Sequence, residues 1–281
     1  MSSEAEGRFH IVDVSSISPY APGGVEGPPP GPQRATLLTD DGVRIDAVYE
    51  SCTRSVPGTA APAVVLAHGF TGSADRPAVR RAARVLAEHA AVVTFSFRGH
   101  GRSGGRSTVG DREVLDLAAA VRWARQLGHA RVATVGFSMG GSVVLRHAAL
   151  ERESGGHTDA VAAVSAPARW YYRGTPAMRR VHWVITRPTG RLVGRYGLRT
   201  RIHNRDWDPV PLSPVEAVPL IAPTPLLIVH GDRDPYFPLD HPRMLAEAGA
   251  SELWLERGMG HAENAADEEL LARLGDWLTR T

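Results

Sequence analysis

Lysine is missing from this chain: all 32 basic residues are arginine. That bias fits a GC-rich coding sequence better than a functional choice. Cysteine is almost missing too. The single Cys52 excludes a disulfide framework, and no Cys/His group has metal-site spacing, so neither a metal nor a cofactor is expected. No apolar run approaches the roughly 20 residues that span a bilayer. The opening Met1-Ser2-Ser3-Glu4-Ala5-Glu6 lacks the basic and apolar regions of a signal peptide, so a cytoplasmic protein without integral membrane association is expected. With 281 residues and 43% hydrophobic content, the chain is long enough for one large core.

The most informative stretch present runs from Val132 to Gly141. A β-branched run enters Gly136-Phe137-Ser138-Met139-Gly140, and a helical pattern leaves it. A serine on such a sharp strand-to-helix turn has its hydroxyl pushed out of the sheet, beside the N–H groups of the helix N-terminus. Glycine at 136 and 140 has a steric cause, because side chains there would meet the neighbouring backbone.

A nucleophilic serine needs a base, a group that orients the base, and donors for the oxyanion. Candidates follow three other strands. Residues 64–67 end in His68-Gly69-Phe70-Thr71-Gly72, residues 225–229 in His230-Gly231-Asp232-Arg233-Asp234, and residues 252–255 precede Gly258-Met259-Gly260-His261. Each lies just past the C-terminal end of its strand, the edge at which open α/β sheets build sites. Asp232 and Asp234 compete as the acid. His68, His100, His230 and His261 all lie near strand ends. His261 alone follows the last strand in a glycine-rich loop, which suits a base reaching across to the serine.

These motifs, with Phe97-Arg98-Gly99-His100-Gly101-Arg102-Ser103, resemble α/β-hydrolases of the carboxylesterase and monoacylglycerol-lipase-like kind over residues 35–281. The resemblance implies an α/β-hydrolase fold with Ser138 as nucleophile, Asp234 as acid and His261 as base. It also implies an oxyanion hole from the backbone N–H groups of Phe70 and Met139, and structural roles for His68 and His100. Haloalkane dehalogenation is disfavoured, since in this fold it uses an aspartate at the elbow where Ser138 stands.

Two strands flanking Asp40-Asp41-Gly42 read as a hairpin. Strands at 63–67, 91–97, 131–136, 160–165, 225–230 and 252–256 then alternate with helices near 77–89, 112–127, 139–152, 240–248 and 266–280. This pattern predicts a mostly parallel eight-stranded sheet with helices on both faces. Residues 1–33, proline- and glycine-rich from 19 to 32, read as a loosely attached arm in which 9–14 could add an edge strand. Gly99-His100-Gly101-Arg102-Ser103-Gly104 matches a dinucleotide fingerprint. No helix opens inside it, however, and the region twenty residues on is helical where an acid at a strand end is required. A buttressing loop is expected instead, with Arg98 satisfying carbonyls or a nearby carboxylate.

Residues 168–219 interrupt the alternation between core segments 34–167 and 220–281, where similar hydrolases insert a small helical cap after the sixth strand. From 169 to 205 there are ten arginines and no Asp or Glu; since the chain is formally +2, this leaves −8 elsewhere. The segment predicts one or two short amphipathic helices broken by Pro188 and Gly190. Its arginines are expected mainly to face water, with Tyr171, Trp183 and Val184 binding substrate. Nucleic acid is disfavoured because no recognition motif accompanies the charge. The expected activity is hydrolysis of a small-molecule ester with a short or medium acyl chain. Amide or thioester cleavage, a lyase or perhydrolase, and a non-catalytic binding module are the alternatives.

Overall fold

Among the described residues, eight strands form one sheet in the order β1-β2-β4-β3-β5-β6-β7-β8. They are β1 (Gln33–Leu38), β2 (Arg44–Glu50), β3 (Ala63–Ala67), β4 (Ala91–Phe95), β5 (Val132–Phe137), β6 (Ala160–Val164), β7 (Leu226–Gly231) and β8 (Glu252–Glu256). The structure is a computed structural model, and it describes residues 31–54, 61–151 and 156–280. Most of the expected N-terminal arm, including its possible edge strand at 9–14, lies outside the described residues. β2 runs antiparallel to both β1 and β4; every other pairing is parallel.

The central strands are apolar without alternation because both of their faces are covered. Val64 and Leu66 of β3 pack on one side with Val79, Ala82 and Leu86 of α1 (Pro77–Leu86) and Leu271, Leu274 and Leu278 of α9 (Glu268–Arg280). Val65 and Ala67 face the other side with Leu117 and Val121 of α2 (Glu113–Gln126), Val143 and Leu145 of α3 (Met139–Leu150), and Leu245 of α7 (Asp240–Ala248). A one-residue register slip would exchange the two sets, so the helix positions pin the strand registers.

Between β6 and β7 come α4 (Pro176–Thr186), α5 (Pro188–Tyr196) and a short α6 (Pro214–Ala217). Thr175 caps α4 by accepting the Met178 N–H at 3.2 Å. Pro188 does separate two helices, and it opens the second as its first residue. Gly190 does not break anything. It sits buried inside α5 at the crossing with α4, where an added Cβ would lie 2.2 Å from the Trp183 carbonyl oxygen. The glycine marks close helix packing rather than a break.

The fingerprint-like loop has a local explanation as well. Gly99 has φ 76°, and a Cβ there would lie 2.4 Å from both the Arg201 oxygen and the Ser107 nitrogen. Its N–H donates to Gly104 O at 2.7 Å, and its carbonyl accepts the Arg201 N–H at 2.8 Å. The chain returning from α5 therefore lies directly on this loop. Arg98 is buried beneath it and pairs with Asp41 at 2.7 Å and Asp116 at 2.8 Å, carboxylates rather than carbonyls.

Candidate active site

β5 delivers Ser138 to the first turn of α3 with φ 53° and ψ −113°, a region that L-residues enter only under strain. The surroundings over-determine that strain. A Cβ at Gly136 would lie 2.1 Å from Gly140 O, and one at Gly140 would lie 2.2 Å from Ala67 O, so both flanking positions must be glycine. The result is a serine hydroxyl lifted clear of the sheet at its C-terminal edge.

His261 follows β8 on a loop tied to the end of β6, where Ser165 Oγ accepts the Ala262 N–H at 3.0 Å. Its Nε2 lies 2.8 Å from Ser138 Oγ, and its Nδ1 lies 2.7 Å from Asp234 Oδ2. The carboxylate can only accept, so Nδ1 carries the proton and Nε2 is left to accept from the serine O–H. Tyr236 lies over the imidazole at a ring-centroid distance of 4.3 Å.

The Asp234 side chain is fully buried and its oxygens are well satisfied. Oδ1 accepts the Tyr236 and Phe237 N–H groups at 2.8 and 3.1 Å. Burial alone would raise this carboxyl, but the hydrogen bond and charge of His261 and the two N–H donors outweigh it and hold it below the usual range. Asp232, its rival from the sequence, points elsewhere: its Oδ1 accepts the Gly258 N–H at 2.6 Å on an exposed turn.

The other three histidines at strand ends serve the scaffold. His68 donates from Nδ1 to the Gly69 oxygen at 2.7 Å and accepts the Phe97 N–H on Nε2 at 3.0 Å, stitching β3 to the chain after β4. Burial pushes its pKa down to about 3, which keeps it neutral. His100 Nδ1 donates to Arg98 O at 3.0 Å, and His230 Nε2 to Phe237 O at 2.8 Å. The Phe70 and Met139 N–H groups have no acceptor among the described residues, so both remain available to an oxyanion beside Ser138.

One residue of the site escapes sequence reasoning. Glu263, on the short helix α8 (Ala262–Ala265), is 6% exposed, and its Oε1 accepts the Gly69 N–H at 3.1 Å. A Cβ on Gly69 would stand 3.2 Å from each Glu263 carboxyl oxygen and 3.4 Å from Ser138 Cβ. Gly69 thus lets a buried carboxyl close up behind the loop that carries Phe70. Among the described residues no cation pairs with Glu263, and burial raises its pKa. Glu263→Leu should lower stability by about 1–3 kcal/mol, because the buried Gly69 N–H loses its acceptor. Glu263→Gln keeps an acceptor oxygen and should lose much less, a difference readable by urea unfolding at pH 7.

A cavity of about 750 Å³ opens over Ser138 and His261, lined in part by α4 and the segments flanking α4 and α5. Tyr171 and Val184 are on its wall. Trp183 is not: it lies on the outward face of α4 with 45% of its surface exposed. Helical rotation explains the difference, since neighbouring residues on one helix point about 100° apart. Eight of the ten arginines between 169 and 205 are exposed, in line with the expectation that they mainly face water, yet four of the exposed ones, Arg169, Arg173, Arg180 and Arg205, also line the open cavity.

The architecture is the α/β-hydrolase fold. Residues 62–171 match the family model described as the alpha/beta hydrolase fold. No curated protein sequence matches the chain. Among solved structures, the Pyrococcus furiosus esterase Pf2001 is 24% identical, with a TM-score of 0.68 over 89% of this chain and 92% of its own. The α/β-hydrolase GrgF from Penicillium sp. sh18 is 19% identical, with a TM-score of 0.66 over 89% of this chain and 98% of its own. Est1E from Butyrivibrio proteoclasticus, in a structure with ferulic acid bound, is 19% identical, with a TM-score of 0.60 over 87% of this chain and 96% of its own. Among the described residues no helix is long and apolar enough to cross a membrane.

Proposed function

We propose that this protein is a serine hydrolase that cleaves carboxylic esters of small molecules through an acyl-enzyme. The observation that carries the reading is the unbroken chain from strained Ser138 Oγ through His261 to buried Asp234, at 2.8 and 2.7 Å. In this scheme Ser138 Oγ attacks the ester carbonyl while His261 Nε2 takes its proton. The Phe70 and Met139 N–H groups hold the tetrahedral oxyanion, and Asp234 holds the imidazole tautomer and stabilises the imidazolium. His261 then returns the proton to the departing alkoxide. Water attacks the acyl carbonyl with His261 again as base, releasing the acid and free Ser138.

Residues 34–167 and 220–281 supply the catalytic core in this reading, and 168–219 act as a cap that selects the substrate, with Tyr171 and Val184 in contact with it. A short or medium acyl chain suits a cavity partly roofed by helices. Amides and thioesters share the same acyl-enzyme, so leaving-group preference is set by the cap rather than by the triad.

Two measurements test the reading. A fluorophosphonate probe should label Ser138 in folded protein; a failure to label supports a non-catalytic binding module. A panel of p-nitrophenyl esters from acetate to palmitate, with amide and thioester analogues, should show turnover highest for short and medium esters. The acid is tested separately. Asp234→Asn should cost about 10⁴-fold in kcat, because the imidazole is then held in the wrong tautomer. Asp232→Asn, which touches only a surface turn, should change kcat by less than about tenfold. Equal damage from both at unchanged stability would reverse the assignment.

A further inference from the structure

Aromatic residues are scarce in this chain and unevenly placed. Phe, Trp and Tyr make up 6% of it, six of each. Yet seven of those eighteen line the cavity over Ser138. They fall into two groups with a lone Phe70. Trp170 and Tyr171 both pack on Trp207, at ring-centroid distances of 5.1 and 5.5 Å. Tyr172 packs near Phe237 at 6.2 Å, while Tyr236 and Phe237 lie 4.3 and 5.7 Å from the His261 ring.

Neither indole N–H is left to seek a ligand. Trp170 Nε1 donates to Pro211 O at 2.9 Å and Trp207 Nε1 to Thr108 O at 2.7 Å. Those bonds fix the ring planes, so the rings offer pre-set apolar faces at little entropic cost. The hydroxyls of Tyr171, Tyr172 and Tyr236 have no hydrogen-bond partner among the described residues and remain free to meet polar substituents.

The charges on the wall point the same way. Arg169 is paired with Asp240 at 3.1 Å. Arg173, Arg180 and Arg205 have no carboxylate within ion-pair distance among the described residues, and each guanidinium can take a carboxylate in its fork. The two acids on the wall are Asp206 and Glu263, and Glu263 is turned into the protein against Gly69.

We infer that the substrate is an aromatic ester bearing an anionic group, its ring received by the Trp170–Tyr171–Trp207 and Tyr172–Tyr236–Phe237 walls and its charge by Arg173, Arg180 and Arg205. The inference rests on the esterase reading and sharpens it to a substrate class. An alkyl chain would exploit neither the ring faces nor the unpaired guanidinium groups.

The test uses the full chain and unactivated esters with matched leaving groups. Methyl 3-phenylpropanoate is compared with methyl hexanoate, and 2-phenylethyl acetate with hexyl acetate, so that the ring is tried on each side of the ester. In at least one pair the aromatic ester should lead by about tenfold in kcat/KM, the size expected of two or three ring contacts. On the favoured side, adding a para-carboxylate should raise kcat/KM further. That gain should vanish at about 0.5 M salt and in Arg173→Gln/Arg205→Gln, read as the ratio of carboxylated to neutral ester so that general damage cancels.

Binding supplies a readout free of turnover. In Ser138→Ala, the carboxylated aromatic ester should quench tryptophan fluorescence with a lower Kd than its alkyl counterpart. Hydrolysis with alkyl esters equal to or better than aromatic ones in both pairs overturns the inference and leaves the esterase reading intact, as does a para-carboxylate that lowers kcat/KM. No hydrolysis of any ester together with no fluorophosphonate labelling overturns both.

Discussion

Ser138→Ala is expected to lower kcat for a p-nitrophenyl ester by roughly five to six orders of magnitude, as is typical when one member of a cooperating triad is removed. His261→Ala should do about the same, and the double variant should be scarcely worse than either, because the second group has nothing left to act on. Ester turnover measured with each purified variant checks both statements. Losses that multiply in the double variant would mean that Ser138 and His261 act independently, against their 2.8 Å contact. Stability should move the other way. Ser138 is held at φ 53° and ψ −113°, so Ser138→Gly relieves backbone strain of about 1–3 kcal/mol and should raise the thermal midpoint as activity disappears. A lowered midpoint would show that the elbow is not strained.

Acid is expected to destabilise the protein from about pH 6.5 downwards through its buried histidines. Burial pushes His68 down to about 3 and His147 and His241 to about 4, and it lowers His100 and His230 as well. The hydrogen bonds explain the resistance to protonation. His68 Nε2 and His241 Nδ1 accept backbone N–H groups from Phe97 and Ala168 at 3.0 and 2.9 Å, and a proton on either nitrogen would break its bond. In the unfolded chain each imidazole titrates near 6.5. Below that pH the unfolded state binds more protons than the folded one, so stability falls from about pH 6.5 down towards the folded values of 3 to 4.

At pH 5 the penalty is about 2 kcal/mol for each such histidine. Asp111, Asp116 and Glu263, raised by burial, Asp116 to about 7, work in the opposite sense: their contributions are present at low pH and are lost as pH rises through their folded values. The imidazoles outnumber them. The net loss at pH 5 should therefore be on the order of a few kcal/mol, a sizeable part of the 5–15 kcal/mol typical of a domain. Urea unfolding at pH 7.5, 6 and 5 measures it directly. His147→Leu, which removes a buried ring whose two nitrogens have no partner, should flatten the pH slope by about one proton. An unchanged pH slope in His147→Leu would show that this ring does not hold neutral in the folded protein.

Much of the fold is readable in the one-dimensional pattern because its causes are local. Strands such as Val64-Val65-Leu66 and Leu226-Leu227-Ile228-Val229 are apolar without a break, which only a sheet covered on both faces explains. Gly136 and Gly140 announce the serine turn because contacts within a few residues, and with one neighbouring strand, forbid any side chain there. The hairpin about Asp40-Asp41-Gly42 follows from turn chemistry alone, with Gly42 at φ 78°.

What the chain order could not decide is which side chain of a local group faces inward across the fold. Asp232 and Asp234 share one turn. Only the packing of Tyr236 and Phe237 under the His261 loop brings the second of them to the imidazole. Trp183 and Trp207 look equally suited to a substrate wall, yet the rotation of α4 turns the first outward while the Thr108 carbonyl holds the second on the cavity. Gly99 reads as part of a buttressing loop, but what it buttresses is visible only once the chain returning from α5 is laid against it. Glu263 is the extreme case. In Ala262-Glu263-Asn264 it looks like a solvated loop residue, and its burial arises from Gly69, 194 positions away. Periodicity and turn chemistry report a residue's neighbours along the chain, whereas a buried carboxyl is defined by the donor across the fold that it satisfies.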